Sequence, residues 1–271
     1  MTRTFRFGVS LRKAQSQSQV AEAARQAEDL GFDVIHVPDH LGAPAPFPTL
    51  TAAAAATSTL RVGTFVLNAC FYKPALLARD VEALHDLSGG RFDVGLGAGY
   101  VREEFEAAEL PFPSARERID YLRHVTDYVR EHVPGAPILI AGNGDRLLTV
   151  AAQTADIVGL TGGTHVDGDP LAERITFLRN AAGDRFADLE LNIAVTAMPA
   201  PGTELPNLTL PRHYLPGLSD EQLLQHPGVL SGSVTAIADR LRDLRERYGI
   251  SYLIVQAADA EAFAKVIAEL R

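Results

Sequence analysis

Apolar positions along this chain switch repeatedly between two periods. Residues 5–11 form a short β-rich run. From Gln17 onward Val20, Ala23, Ala24, Ala27 and Leu30 recur at helical spacing, and Gly31 stops the pattern. "DVIHVP" (33–38) is the next strand, and a helix follows over about 48–58. "RVGTFVLN" (61–68) is rich in β-branched residues. Pro74 opens a helix with Leu77, Val81 and Leu84 on one face, and the Gly89-Gly90 pair ends it. "RFDVGLGAG" (91–99) is the fourth strand. Residues 114–132 form a helix whose stripe is Ile119, Leu122, Val125 and Val129. "PILIAG", a helix over 145–155, "DIVGLTG", a helix over 170–182 and "LELNIAVTAM" come next. A helix over 235–248, "SYLIVQ" and a helix over 260–270 complete the series.

Eight strands each followed by a helix imply a parallel sheet, and eight such units fill the usual length of a closed (β/α)8 barrel. The expected fold is therefore α/β, a single (β/α)8 TIM barrel over residues 1–271. No low-complexity linker divides it. The longest irregular stretch, 199–233, is rich in proline and falls on the C-terminal face of the barrel, where active sites are built.

The 271 residues carry a net charge of -9, which argues against nucleic acid or an anionic membrane as main partner. A single cysteine excludes an internal disulfide and a cysteine zinc site. The first residues lack an apolar signal core, and no run reaches membrane-spanning length, so a cytoplasmic protein is expected.

Chemistry in such a barrel sits at the strand ends. These ends are rich in glycine and poor in charge. No paired carboxylates stand out, no HxH or HExxH pattern supports a metal, no GxSxG elbow is present and no lysine ends a strand. No metal is expected, and a bound cofactor is expected to carry the chemistry. Gly142, Asn143 and Gly144 can offer backbone N–H groups to an anion where the helix after strand five begins; an ordinary tight turn is the other reading. Asp39 and His40 lie just past strand two, where an imidazole can exchange a proton with a bound ring, or merely sit on the surface. Tyr100 is the pocket candidate after strand four. Arg102, Glu103 and Glu104 read as a solvated first helical turn, acidic as the helix dipole favours. "GLGAG" lacks the third glycine of a dinucleotide fingerprint at the required spacing. Gly97 and Gly99 are read instead as clearing space beneath a flat ring.

Together these residues resemble the luciferase-like family of flavin-dependent barrels. "AEDLGFDVIHVPDHLG", "ATSTLRVGTFVLN", "DLSGGRFDVGLGAGY" and "GISYLIVQ" are similar in particular to actinobacterial oxidoreductases that use the deazaflavin coenzyme F420. The resemblance implies a ring resting on the bulged end of strand three, with a non-prolyl cis peptide near Asn68, Ala69 or Cys70. It implies a phosphate on Gly142, Asn143 and Gly144, helped by Thr161 and Gly162. It gives Asp39 and His40 the family's Asp-His position after strand two. The chain departs from the family in two places. "YVREHVPGAP" nearly closes a gap that relatives fill with an extended segment between helix four and strand five. Tyr100 stands where some deazaflavin dehydrogenases place an acidic residue.

The expected activity is hydride transfer between F420 and a small organic substrate, in secondary metabolism, with Asp39, His40 and Tyr100 as the catalytic set. A homodimer is expected as the assembly. An FMN-dependent monooxygenase is the near alternative. A cofactor-free barrel, acting as a binding protein or a non-redox biosynthetic enzyme, is the alternative from another class. A dinucleotide-binding Rossmann enzyme fits eight units poorly.

Overall fold

The computed structural model describes residues 3–161 and 168–271. The strands are β1 (Arg6–Ser10), β2 (Val34–Val37), β3 (Arg61–Thr64), β4 (Leu67–Asn68), β5 (Phe92–Gly97), β6 (Ile138–Ala141), β7 (Ile157–Leu160), β8 (Glu190–Ala194) and β9 (Ile250–Gln256). They pair in parallel in the order β3-β2-β1-β9-β8-β7-β6-β5-β4, and β3 also pairs with β5, which closes the barrel. β3 and β4 are two halves of one barrel strand. Gly63 pairs with Asp93 and Leu67 with Leu96, so three residues of this strand oppose two of β5. That extra residue is a bulge, and it splits the third predicted strand.

The helices are α1 (Gln17–Asp29), α2 (Pro46–Ala56), α3 (Pro74–Leu87), α4 (Arg102–Ala107), α5 (Ala115–His132), α6 (Asp145–Thr154), α7 (Pro170–Ala182), α8 (Thr209–Tyr214), α9 (Asp220–Gln225), α10 (Val234–Tyr248) and α11 (Ala260–Leu270). Local chemistry sets their starts. Ser16, Ser114 and Ser233 accept N–H bonds as caps, Ser114 in a full capping box with Glu117. Pro74 and Pro170 occupy first turns, where a missing N–H costs nothing. Only five residues, 133–137, join α5 to β6, so the shortened connection is real.

Each strand has two faces. Outward, Phe7, Val9, Ile35, Val62, Val94 and Ile140 pack with helix residues such as Leu77, Val81 and Leu122. Inward, Val34, Leu139, Ile157, Tyr252 and Ile254 form a separate cluster inside the barrel. The N-terminal end of the interior is closed by ions. Arg6 bonds Asp93 and Glu190, Arg61 bonds Asp93, and the Arg6 guanidinium lies 4.5 Å from the Tyr252 ring centroid. Above this plug His36 and Tyr252 share a hydrogen bond in full burial. A Cβ on Gly8 or Gly63 would strike His36, so small neighbours make room for the imidazole. Continuing two residues towards the mouth, the interior positions become Ser10, Ala141, Ala194 and Gln256. The floor of the open end therefore combines these side chains with Phe65 and Val66 of the bulged strand, which pack against the interior cluster.

The 199–233 stretch is not featureless. α8 and α9 lie within it, and Leu208, Leu223, Val229 and Ala197 give it an apolar cluster of its own. It is tied to the end of β8 by Thr196 N–H to Gly228 O (2.7 Å) and Leu230 N–H to Ala197 O (2.9 Å). Among the described residues no helix is long and apolar enough to cross a membrane, and no group of side chains forms a metal cluster.

Candidate functional site at the barrel mouth

His40 follows β2 and meets a partner that composition alone did not single out. Its Nδ1 lies 2.9 Å from Glu104 Oε1, and Glu104 is the more buried of the two. Glu104 belongs to the first turn of α4. The reading of that turn as wholly solvated is thus corrected: the short helix turns Glu104 inward while Arg102 and Glu103 stay exposed. Helical periodicity limits the choice within "REEF", but a six-residue helix is too short for the sequence to fix which face turns in. Tyr100 stands edge-on to His40, with ring centroids 6.3 Å apart and planes at 83°. The structure so brings His40, Tyr100 and Glu104 together.

Asp39 has a different environment. Its carboxylate accepts the Asn68 N–H at 3.1 Å, and its own N–H donates to Val66 O at 3.4 Å. Burial pushes the Asp39 carboxyl up, while the Asn68 N–H and the Tyr72 hydroxyl hold it back. Tyr72 is driven above the ordinary phenol range by the same burial and by Asp39. Asp39 therefore clamps the end of β2 to the bulged strand.

The bulged strand also revises its own predicted roles. The cis peptide joins Phe65 and Val66, two residues before the expected 68–70. The bulge sits between the two paired halves of the strand, and by Asn68 the chain has resumed its ladder. Asn68 is buried and caps the next turn through Cys70 N–H to its Oδ1 at 3.1 Å. Ala69 is fully buried, and the Cys70 thiol is half-buried 3.8 Å from Ala98 O. Asn68 and Ala69 thus present almost no free surface. Gly97 and Gly99 do not open a floor beneath a ring. A Cβ on Gly97 would lie 2.7 Å from Val66 Cγ2, and one on Gly99, at φ +70°, 2.3 Å from Asn68 Oδ1. The space they leave is filled by the bulged strand itself, which sequence spacing along one strand cannot reveal.

At α6 the three predicted phosphate residues divide. Gly142 N–H is committed to Gly159 O at 3.0 Å, and a Cβ there would meet the Leu147 side chain at 2.8 Å. Gly144 is the helix N-cap, has no side chain to satisfy the first N–H groups, and faces open space. Asn143 Oδ1 is buried without a partner among the described residues. Arg174 of α7, which the sequence did not flag, reaches this turn. Its Nη1 lies 2.5 Å from Asp145 Oδ1 and 3.5 Å from Asn143 O. An uncapped N-terminus with an arginine beside it can accept an anion. Thr161 is exposed at the end of β7; Gly162 lies outside the described residues.

A family model described as luciferase-like monooxygenase matches residues 2–205. The chain belongs to the luciferase-like monooxygenase family. Curated relatives include a 5,10-methylenetetrahydromethanopterin reductase of Archaeoglobus fulgidus. It is 29% identical over 171 residues, covering 56% of this chain and 51% of that protein. An F420-dependent glucose-6-phosphate dehydrogenase of Beutenbergia cavernae is 34% identical over 125 residues, covering 43% and 37%. The matched stretches thus span about half, or less, of those relatives' length. A long-chain alkane monooxygenase superposes with a TM-score of 0.79 at 15% identity, covering 100% of this chain and 92% of that one. An F420-dependent secondary alcohol dehydrogenase gives 0.77 at 16%, covering 99% and 100%. These two structures share the fold of this chain.

Proposed function

We propose that the protein is an F420-dependent oxidoreductase that moves a hydride between the deazaflavin and a small organic substrate. The observation that carries this is the His40–Glu104 pair at the barrel mouth, with Tyr100 against the imidazole. The residues present fit such a group: a floor of small side chains beside the apolar Phe65–Val66 bulge suits a flat ring, and the uncapped start of α6 suits its phosphate. Gly144, Asn143 and Thr161 would hold the phosphate end, with Arg174 offsetting the charge of Asp145. When bound, F420 supplies two-electron hydride chemistry. The Glu104 side chain accepts the Nδ1–H of His40, which fixes the tautomer and leaves the Nε2 lone pair to take a proton from a substrate hydroxyl. The sequence relatives whose names specify F420 support the deazaflavin over FMN. Assembly as a homodimer belongs to the same proposal, since α3 leaves Leu76 (52% exposed) and Leu87 (72% exposed) on its outer face.

A second reading has two observations in its favour. Gly142 N–H is already spent in the ladder and Asp145 places a carboxylate in the first turn of α6, both of which weaken an anion cradle. That favours a barrel working without the cofactor. Titration of the pure protein with F420 and with FMN, followed by cofactor fluorescence, separates the cases. F420 binding supports the proposal, tight binding of FMN alone overturns it for an FMN enzyme, and binding of neither supports the cofactor-free barrel.

A further inference from the structure

Burying a cation is costly unless its donors find partners. Arg118, in the first turn of α5, is the one buried arginine among the described residues, at 9% exposure. None of its side-chain hydrogen bonds among these residues goes to a carboxylate. Nε donates to Gly99 O at 2.9 Å, and Nη1 donates to Pro113 O. The guanidinium lies 4.2 Å from the centroid of the Phe112 ring, and the Arg102 guanidinium of α4 lies 4.3 Å from the same centroid.

Both sets of contacts lead to the barrel mouth. Gly99 immediately precedes Tyr100, whose ring stands edge-on to His40. A Cβ on Gly99 would strike Asn68, so this turn is held by the bulged strand and by Arg118 together. Phe112 packs edge-on against Phe105 of α4, with ring centroids 5.0 Å apart, and Phe105 packs against Phe71 at 5.3 Å. Phe105 is 1% exposed. α4 has six residues and no side-chain cap, too little to hold itself. Its rotation is therefore set by the seat of Phe105. Glu104 lies one residue earlier, about 100° round the helix, and meets His40 Nδ1 at 2.9 Å.

We propose that Arg118 is a positioning residue for this mouth. It fixes the turn before Tyr100 through the Gly99 carbonyl, seats α4 through Phe112 and Phe105, and so sets the His40–Glu104 hydrogen bond. The inference rests on reading His40 and Glu104 as the proton-handling pair. A lysine supplies the charge but neither the forked donation nor the flat stack on Phe112.

The test reads the His40 tautomer by two-bond proton–nitrogen correlation spectra of the full chain carrying isotope-labelled histidine. The pH is held at about 8.5, where an ordinary imidazole is neutral. His40→Ala identifies the signal. In the wild type Nδ1 carries the proton. Glu104→Ala lowers the ratio of Nδ1–H to Nε2–H by ~5-fold or more, the loss of one hydrogen bond. Arg118→Met keeps the stem without the guanidinium and lowers the ratio by a comparable factor; Arg118→Lys falls between. Phe112→Leu removes the ring between the two guanidinium groups, lowers the ratio too, and replaces Arg118→Met if that variant does not fold. Thermal melts check folding. An unchanged His40 signal in a folded variant with a lower melting midpoint makes Arg118 a packing residue and overturns the proposal. Movement of the His36 signals together with those of His40 marks a general loosening and also overturns it. A wild-type His40 that carries its proton on Nε2, or that ignores Glu104→Ala, overturns the pair and the proposal with it. The tautomer is read without cofactor or substrate, so a failed F420 titration removes the F420 reading and leaves this inference standing.

Discussion

The Thr64 hydroxyl and the Gly95 backbone are joined twice: Oγ1 accepts the Gly95 N–H at 2.8 Å and donates to Gly95 O at 2.8 Å. A side chain thereby replaces the backbone pairing that the bulge removes between the two halves of the third barrel strand. Thr64 is fully buried, so water cannot substitute. Thr64→Val keeps the shape and removes both bonds, leaving a buried N–H and a buried C=O unpaired. We expect a loss of about 2–6 kcal/mol, at about 1–3 for each stranded group, read as a lower urea midpoint with unchanged slope. Gly95→Ala is worse, because its Cβ would lie 1.9 Å from the Thr64 carbonyl oxygen, which is backbone and cannot yield.

The same strand shows what the sequence could and could not disclose. Alternating helical and strand periods gave the eight units, because each period reports burial on one element. The glycines of "GLGAG" were visibly unusual, yet their cause lies across the sheet in Thr64, Val66 and Asn68. Only pairing register reveals it. The place of His40 just past a strand was legible, but the resemblance, not that place, made it a candidate. Glu104 was not legible, since it lies 64 residues away and is brought in by a two-turn helix. Arg174 was hidden for the same reason: it reaches the α6 turn from the neighbouring helix.

His36 makes acid stability measurable. Burial, against the pull of Asp93, lowers its pKa to about 3 from the ordinary 6.5. The unfolded chain takes a proton below about 6.5 that the folded chain refuses. Stability from this residue is complete above that value and declines as pH falls towards 3. Urea midpoints measured from pH 7.5 to 4 should fall along this course. Against the same series, His36→Gln should be less stable at pH 7.5 but lose less on acidification. Parallel curves for the two proteins would show that His36 is not the group responsible.

Gly144 and Gly142 offer a matched pair for the anion site. Nothing lies within 4 Å of a Cβ on Gly144, so Gly144→Val should melt like the wild type. Its side chain would occupy the open space before α6, and F420 affinity should fall ~10-fold or more. Gly142→Val instead presses on Leu147 and should cost stability as well. Unchanged affinity in Gly144→Val with the fold intact would place the phosphate elsewhere.

His40 and Glu104 separate proton handling from binding. His40→Ala should retain the fold and the F420 affinity, because the imidazole is part-exposed at the mouth and its partner is a side chain. Turnover should drop by about 10²–10⁴, the usual contribution of a positioned acid or base. Glu104→Gln keeps an amide near Nδ1 but removes the carboxylate that orients the ring. Its kcat/KM should fall less than in His40→Ala. A kcat/KM in Glu104→Gln equal to that of the wild type would make that carboxylate a structural anchor of α4 alone. Full activity in His40→Ala would remove the imidazole from the reaction.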